Sequence, residues 1–242
     1  MVRNTAGLMT GSDPTRSTMT FHWGRAPDGL PRSFFPRYPD VCFRRDDTWF
    51  WPGDGERLGS NGPLLIFLLR MRRDPTGDPG FDFASEGWGA VRVSNPDHDP
   101  EDWKVEPTPA PQNPWNIVVG SPSVLAQDDW LYAFGTRDLE DGARHDVHLV
   151  RWPLESAAAG DLRSPEWWAG GVHGFVSQHA LARVPPPLFG GALPETVHKT
   201  ADGGFVAVLT VGFGDTTLGG AHGTRSHWPV VRRQRGLAPA RI

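Results

Sequence analysis

The chain has 242 residues, a formal net charge of −4, and 24 basic against 28 acidic residues. That balance, with no basic patch ahead of the last dozen residues, argues against nucleic acid as a partner. A single cysteine, Cys42, excludes a disulfide framework and a cysteine-based metal cluster. No stretch is long and apolar enough to cross a membrane as a helix. The unusual totals are 29 Gly, 24 Pro and 11 Trp, which interrupt helices and favour short strands joined by turns. Tryptophans serve two purposes in such a chain: they pack between sheets, and their flat rings can stack on a sugar.

Residues 1–39 are polar, without clear period, and are expected to be irregular; Met1 to Asp13 holds no apolar core of signal-peptide length. Location is left open. Asp47 to Arg70 is the organising stretch. Trp49-Phe50-Trp51 is followed by Pro52-Gly53-Asp54-Gly55, which carries turn chemistry, and then by the apolar run Leu64 to Leu69, which predicts a buried strand.

From Asp40 onward a coarse repeat emerges. Its first copy is Trp49–Trp51, Leu64–Leu69 and Gly89–Val93; its second is Ile117–Leu125, Trp130–Gly135 and Asp146–Trp152. The third is Glu195–His198, Phe205–Thr210 and Thr216–Gly219. Asp54, Ser123 and Glu195 fall at comparable points, roughly 70 residues apart, a spacing suited to radially repeated sheets with insertions. Ala126 to Trp130 and Thr200 to Gly204 are polar turns leading into apolar strands. Pro107 to Pro114 and Pro185 to Pro187 read as extended surface crossings, and Asp161 to Ala169 as a single helical turn. Residues 229–242 are basic and lack strand alternation, which predicts a disordered tail. The expectation is an all-β chain with one domain over residues 40–228.

Several segments, taken in order, resemble a family. Trp51-Pro52-Gly53-Asp54-Gly55 with Leu64 to Arg70 comes first, then Pro100-Glu101-Asp102-Trp103-Lys104, Val119 to Val124, Trp130 to Thr136 and His148 to Trp152. Pro194-Glu195-Thr196-Val197-His198 and Phe205 to Phe213 close the series. Together they are similar to bacterial five-bladed β-propellers of a domain-of-unknown-function group. That group is related to the arabinanase, levansucrase and invertase superfamily and includes endo-D-arabinanases. About three blades are recognisable, so the chain reads as a truncated member.

The resemblance implies a glycoside hydrolase-like protein acting on a furanose-rich, arabinan-type polysaccharide. Such hydrolysis takes two carboxyl groups flanking the scissile bond. Asp54 is the expected base or nucleophile and Glu195 the expected general acid; Asp54 reads equally well as an Asx-turn residue, and Glu195 as a surface residue at a strand start. Asp40 and Asp215 are weaker candidates, and Asp46 and Asp47 are simplest as a solvated turn. His198, three residues beyond Glu195, shares its site only if the strand bends.

Trp51, Trp88, Trp115 and Trp130 are the candidate sugar platforms, with blade packing the equal alternative. His145, Asp146 and His148 are too few for a zinc site. Gly212 to Thr216 resembles a phosphate loop superficially but lacks its Lys and helix. The expected partner is an oligo- or polysaccharide, with no cofactor and no metal. The rival reading is a non-catalytic carbohydrate-binding propeller, or an inactive remnant.

Overall fold

A computed structural model describes residues 4–11, 13, 15–35, 48–76, 82–138, 145–190, 193–200, 205–210, 216–221 and 231–233. Cys42, Asp40, Asp46, Asp47, Asp215 and 212–215 of the loop-like segment lie outside them. The described chain is all-β, with antiparallel sheets throughout.

The segment expected to be irregular forms two short hairpins instead. Strand β1 (Ala6–Thr10) pairs with β2 (Thr18–His22), and β3 (Gly24–Arg25) with β4 (Pro31–Arg32). Asn4 ties this region to the first large sheet. Its buried side-chain amide donates to the carbonyls of Phe35 (3.3 Å) and Phe50 (3.0 Å), and its Oδ1 accepts from the Phe35 N–H (2.7 Å).

Three larger sheets follow, one for each copy of the sequence repeat. The first contains β5 (Thr48–Arg57), β6 (Leu64–Arg73), β7 (Phe83–Val93) and β8 (Val105–Thr108), in chain order. The second runs from β9 (Val118–Gln127) through β10 (Trp130–Asp138), β11 (His145–Pro153) and β12 (Glu166–Trp168) to β13 (Phe175–Ser177). Here β14 (Phe189–Gly190) pairs with the start of β11. The third contains β15 (Leu193–Lys199), β16 (Phe205–Thr210), β17 (Thr216–Ala221) and β18 (Val231–Arg233).

Two expectations shift. The helical turn, α1 (Leu154–Ala158), comes directly after β11, while Glu166 to Trp168, inside the segment predicted helical, is strand β12. Alternation explains the second shift. Trp167 enters the first core while Trp168 packs against the other, and β12 pairs with β11 through Val150↔Trp167. Val231 to Arg233, in the segment predicted disordered, is the outer strand of the third sheet.

The sheets stack through their faces. On β6, Leu65 and Phe67 point into a core shared with the second sheet, whereas Ile66 and Leu68 join Phe34, Phe35 and Phe50 on the opposite side. On β10, Leu131 and Ala133 enter the shared core, and Tyr132 and Phe134 enter a second core with Val197, Phe205 and Ala207 of the third sheet. A strand buried on both faces reads as a continuous apolar run, which is why β6 and β10 stand out in the sequence. The first core is built around Phe67, Trp88 and Trp152, whose ring centroids lie 5.6 to 6.2 Å apart. Packed at these faces, the first strands come together: β9 lies against both β5 and β15.

Candidate functional site: a cleft over the three first strands

Pro-Gly-Asp-Gly is not a turn. β5 runs straight through it, and the connection to β6 closes later, where the Leu58 N–H meets the Pro63 carbonyl at 2.9 Å. Pairing jumps from Pro52↔Leu68 to Gly55↔Ile66, so Gly53 and Asp54 form a bulge. The other two first strands break register at the corresponding place. In β9 the irregularity spans Gly120 to Ser123, and in β15 it falls at Glu195. All three residues matched by the sequence repeat, Asp54, Ser123 and Glu195, therefore sit where the pairing register breaks.

Glycine makes the close approach possible. A Cβ on Gly53 would collide with the Gly120 carbonyl oxygen, and one on Gly120, at φ +77°, with the Phe67 ring. With the strands this near, two of these residues bond across the seam. Asp54 Oδ1 accepts from the Gly55 N–H at 2.8 Å, and its Oδ2 from the Val124 N–H of β9 at 2.7 Å. Ser123 Oγ donates to the Val197 carbonyl of β15 at 3.2 Å. The same position is used twice as a link to the next sheet.

A cleft of about 500 Å³ opens here, lined by Pro52 to Glu56, Ser121 to Leu125 and Thr196 to Lys199. Glu56 shares the Asp54 face of β5, two residues on. Its carboxyl is held above the usual range, chiefly by burial and further by the charge of Asp54. A hydrogen bond from the Ala126 N–H works the other way. On β15, Thr196 Oγ1 and His198 Nε2 are 2.9 Å apart and exposed. The cleft thus offers a carboxyl with a raised pKa, a hydroxyl, an imidazole and the Lys199 side chain.

The expected site residues are placed as follows. Asp54 and His198 line the cleft. Glu195 lies in β15, at the register break immediately before Thr196. None of the four candidate tryptophans lines the cleft. Trp88 is buried in the first core at 6 % exposure, so no sugar can stack on it. Trp51 packs edge-on against Phe83 at 4.7 Å, Trp115 packs edge-on against Trp167 at 5.8 Å, and the guanidinium of Arg151 covers Trp130 at 3.6 Å.

His145 Nδ1 lies 2.8 Å from Asp138 Oδ1. His148 is buried at 1 % exposure, and among the described residues neither ring nitrogen has a partner in good hydrogen-bond geometry, the Pro185 and Pro186 carbonyls lying near it. Burial lowers its pKa to about 4, reinforced by Arg137; Asp146 and the Pro185 and Pro186 carbonyls oppose the shift. Among the described residues no group of three His, Cys, Asp or Glu side chains is placed to hold a metal. Sequence reasoning missed Glu56. Reading β5 through the Pro-Gly-Asp-Gly segment would have put it on the Asp54 face.

Comparison with protein-family profiles, with curated proteins and with solved structures returns no match.

Proposed function

We propose that the chain is a partial β-propeller of the five-bladed type that binds a furanose-rich oligo- or polysaccharide in this cleft without cleaving it. Support for the propeller comes from three successive sheets whose first strands meet side by side and break register at matching positions. One observation carries the non-catalytic reading: both oxygens of Asp54 are engaged by backbone N–H groups of β5 and β9. A carboxylate bonded this way joins two sheets, and the two N–H groups occupy one lone pair on each oxygen, which ties it down and weakens it as a base or nucleophile. The polar lining of Glu56, Thr196, His198 and Lys199 suits a polyhydroxylated ligand.

The raised pKa of Glu56 favours a second reading, a hydrolase with Glu56 as general acid. The two separate in one assay. Wild type, Glu56→Gln and Glu195→Gln are run in affinity gels containing D-arabinan, L-arabinan, fructan or xylan, and reducing ends are counted on the same glycans. Retardation by one glycan without release of reducing ends is the expected result. Release by wild type that disappears in Glu56→Gln would replace binding with hydrolysis.

A further inference from the structure

The β1–β2 hairpin turns its apolar side to solvent. Cross-strand partners share a face of an antiparallel ribbon, as do positions two apart along a strand. Met9 pairs with Met19 and Gly7 with Phe21, so one face carries Met9, Met19 and Phe21. A Cβ on Gly7 would meet Met19 Sδ at 3.3 Å and the Phe21 ring at 3.4 Å, so both side chains lean over the glycine and fill the gap it leaves. Met9, Met19, Phe21 and, just beyond β2, Trp23 are each 43 to 60 % exposed. The opposite face carries Ala6, Leu8, Thr20 and His22, and through it the hairpin meets the body, His22 Nδ1 lying 3.5 Å from Glu101 Oε1. A ribbon with one solvated face ordinarily keeps apolar side chains inward and polar ones outward. Here the order is reversed. Neither strand pairs with any other among the described residues, and a two-stranded ribbon is marginal by itself.

Composition separates the possible occupants of this face. Met beside aromatic rings is the make-up of a protein interface, whereas a sugar platform needs flat rings and gains nothing from two methionines. Charge narrows the choice further. Between Ala6 and His22 the only Asp, Glu, Lys or Arg side chains are Asp13 and Arg16, which lie 3.6 Å apart. The arm is therefore neutral on a chain of net charge −4, and two copies repel least where they meet arm to arm. A two-fold contact sets a patch against itself, which an uncharged patch tolerates. The four side chains expose on the order of 500 Å², the upper end for a patch on a monomer. Pressed against its like, such a patch removes about 1,000 Å² in total from water, about the least that a specific interface requires.

We propose that this face is the interface of a homodimer, the β1–β2 arm of one copy laid face to face on that of a second about a two-fold axis. The contact is independent of what the cleft at Asp54 binds. Sedimentation velocity of the whole chain across the micromolar range is expected to show a monomer–dimer equilibrium that sodium sulfate strengthens. Phe21→Ser, at an exposed position, is expected to weaken the dimer roughly tenfold or more while the monomer melts as wild type does. Oxidation on a Cys42→Ser background gives a second readout: Met19→Cys is expected to form a disulfide-linked dimer, and Thr10→Cys, on the opposite face, is not. A chain that stays monomeric throughout, a dimer unchanged by Phe21→Ser, or equal cross-linking through Thr10→Cys would each overturn the proposal. So would a monomer whose retardation by a glycan, or whose sedimentation with phosphatidylcholine–phosphatidylglycerol vesicles, is lost in Phe21→Ser, because the face would then belong to a sugar or a membrane.

Discussion

The seam between the first and second sheets and the seam between the second and third occupy equivalent places, yet different chemistry holds each. At the first, two carboxylates of β5, Asp54 and Glu56, take the backbone N–H groups of Val124 and Ala126 on β9. Behind them lies the aromatic group of Phe67, Trp88 and Trp152. At the second, one neutral hydroxyl, Ser123, reaches one carbonyl, Val197, over a core of Tyr132, Phe134, Val147 and Leu149. Hydrogen bonds to an ionised acceptor are roughly twice as strong as neutral ones. The lesson is that a repeated backbone position fixes where a joint forms, while the side chain placed there sets how firmly it holds. The first seam is the stronger.

Four measurements sharpen or break that contrast. The largest effect is expected from Gly120→Val, which combines strain at positive φ with a clash against Phe67. A loss of about 4 kcal/mol in chemical denaturation follows, and a near-neutral result would mean the two strands are not in close contact.

Acid is next. His148 sits on the β11 face that also carries Val150 and Trp152 toward the first core. Its pKa is lowered on folding, so the unfolded chain takes up a proton that the folded chain refuses. Stability is therefore intact above about pH 6.5 and falls as pH drops toward about 4, by about 3 kcal/mol. The melting temperature should slope with pH across that window in wild type and run flatter in His148→Gln. Parallel slopes would assign the proton elsewhere.

Asp54→Asn turns an acceptor into an amide facing an N–H, and about 2 kcal/mol should be lost whether or not any glycan is present. A variant as stable as wild type would remove the structural role of Asp54 and restore its catalytic candidacy. The smallest effect is that of Ser123→Ala, about 1 kcal/mol, with hydrogen exchange rising in the third sheet before the first. Exchange rising equally in both sheets would erase the distinction between the seams.

The sheets were legible in the sequence because β6 and β10 are apolar on both faces and polar turns bracket them. Asp54, Ser123 and Glu195 can be matched from the sequence for the same reason. The fourth strands were not legible: β8, β12 and β18 are three or four residues long, too short to display a period. Gly53-Asp54 was misread because Pro, Gly and Asp carry local turn preferences, whereas the true constraint is the backbone of Gly120, far along the chain. Glu56 gave no local sign of its role, since the N–H it accepts belongs to Ala126. The contact that covers Trp130 is equally hidden. Nothing near Trp130 in sequence announces that Arg151 covers its ring, because that pairing arises from strands β10 and β11 lying side by side.

The joints described here are made by side chains, not by a continuous backbone ladder, so each sheet is closed as a hydrogen-bonded unit before it meets its neighbour. Gain or loss of a whole sheet by gene duplication or deletion would leave every other ladder intact. A new neighbour would need only a bulge, a glycine for clearance and one side chain able to reach across. Such a molecule can change its number of units far more readily than the order of strands inside any one of them.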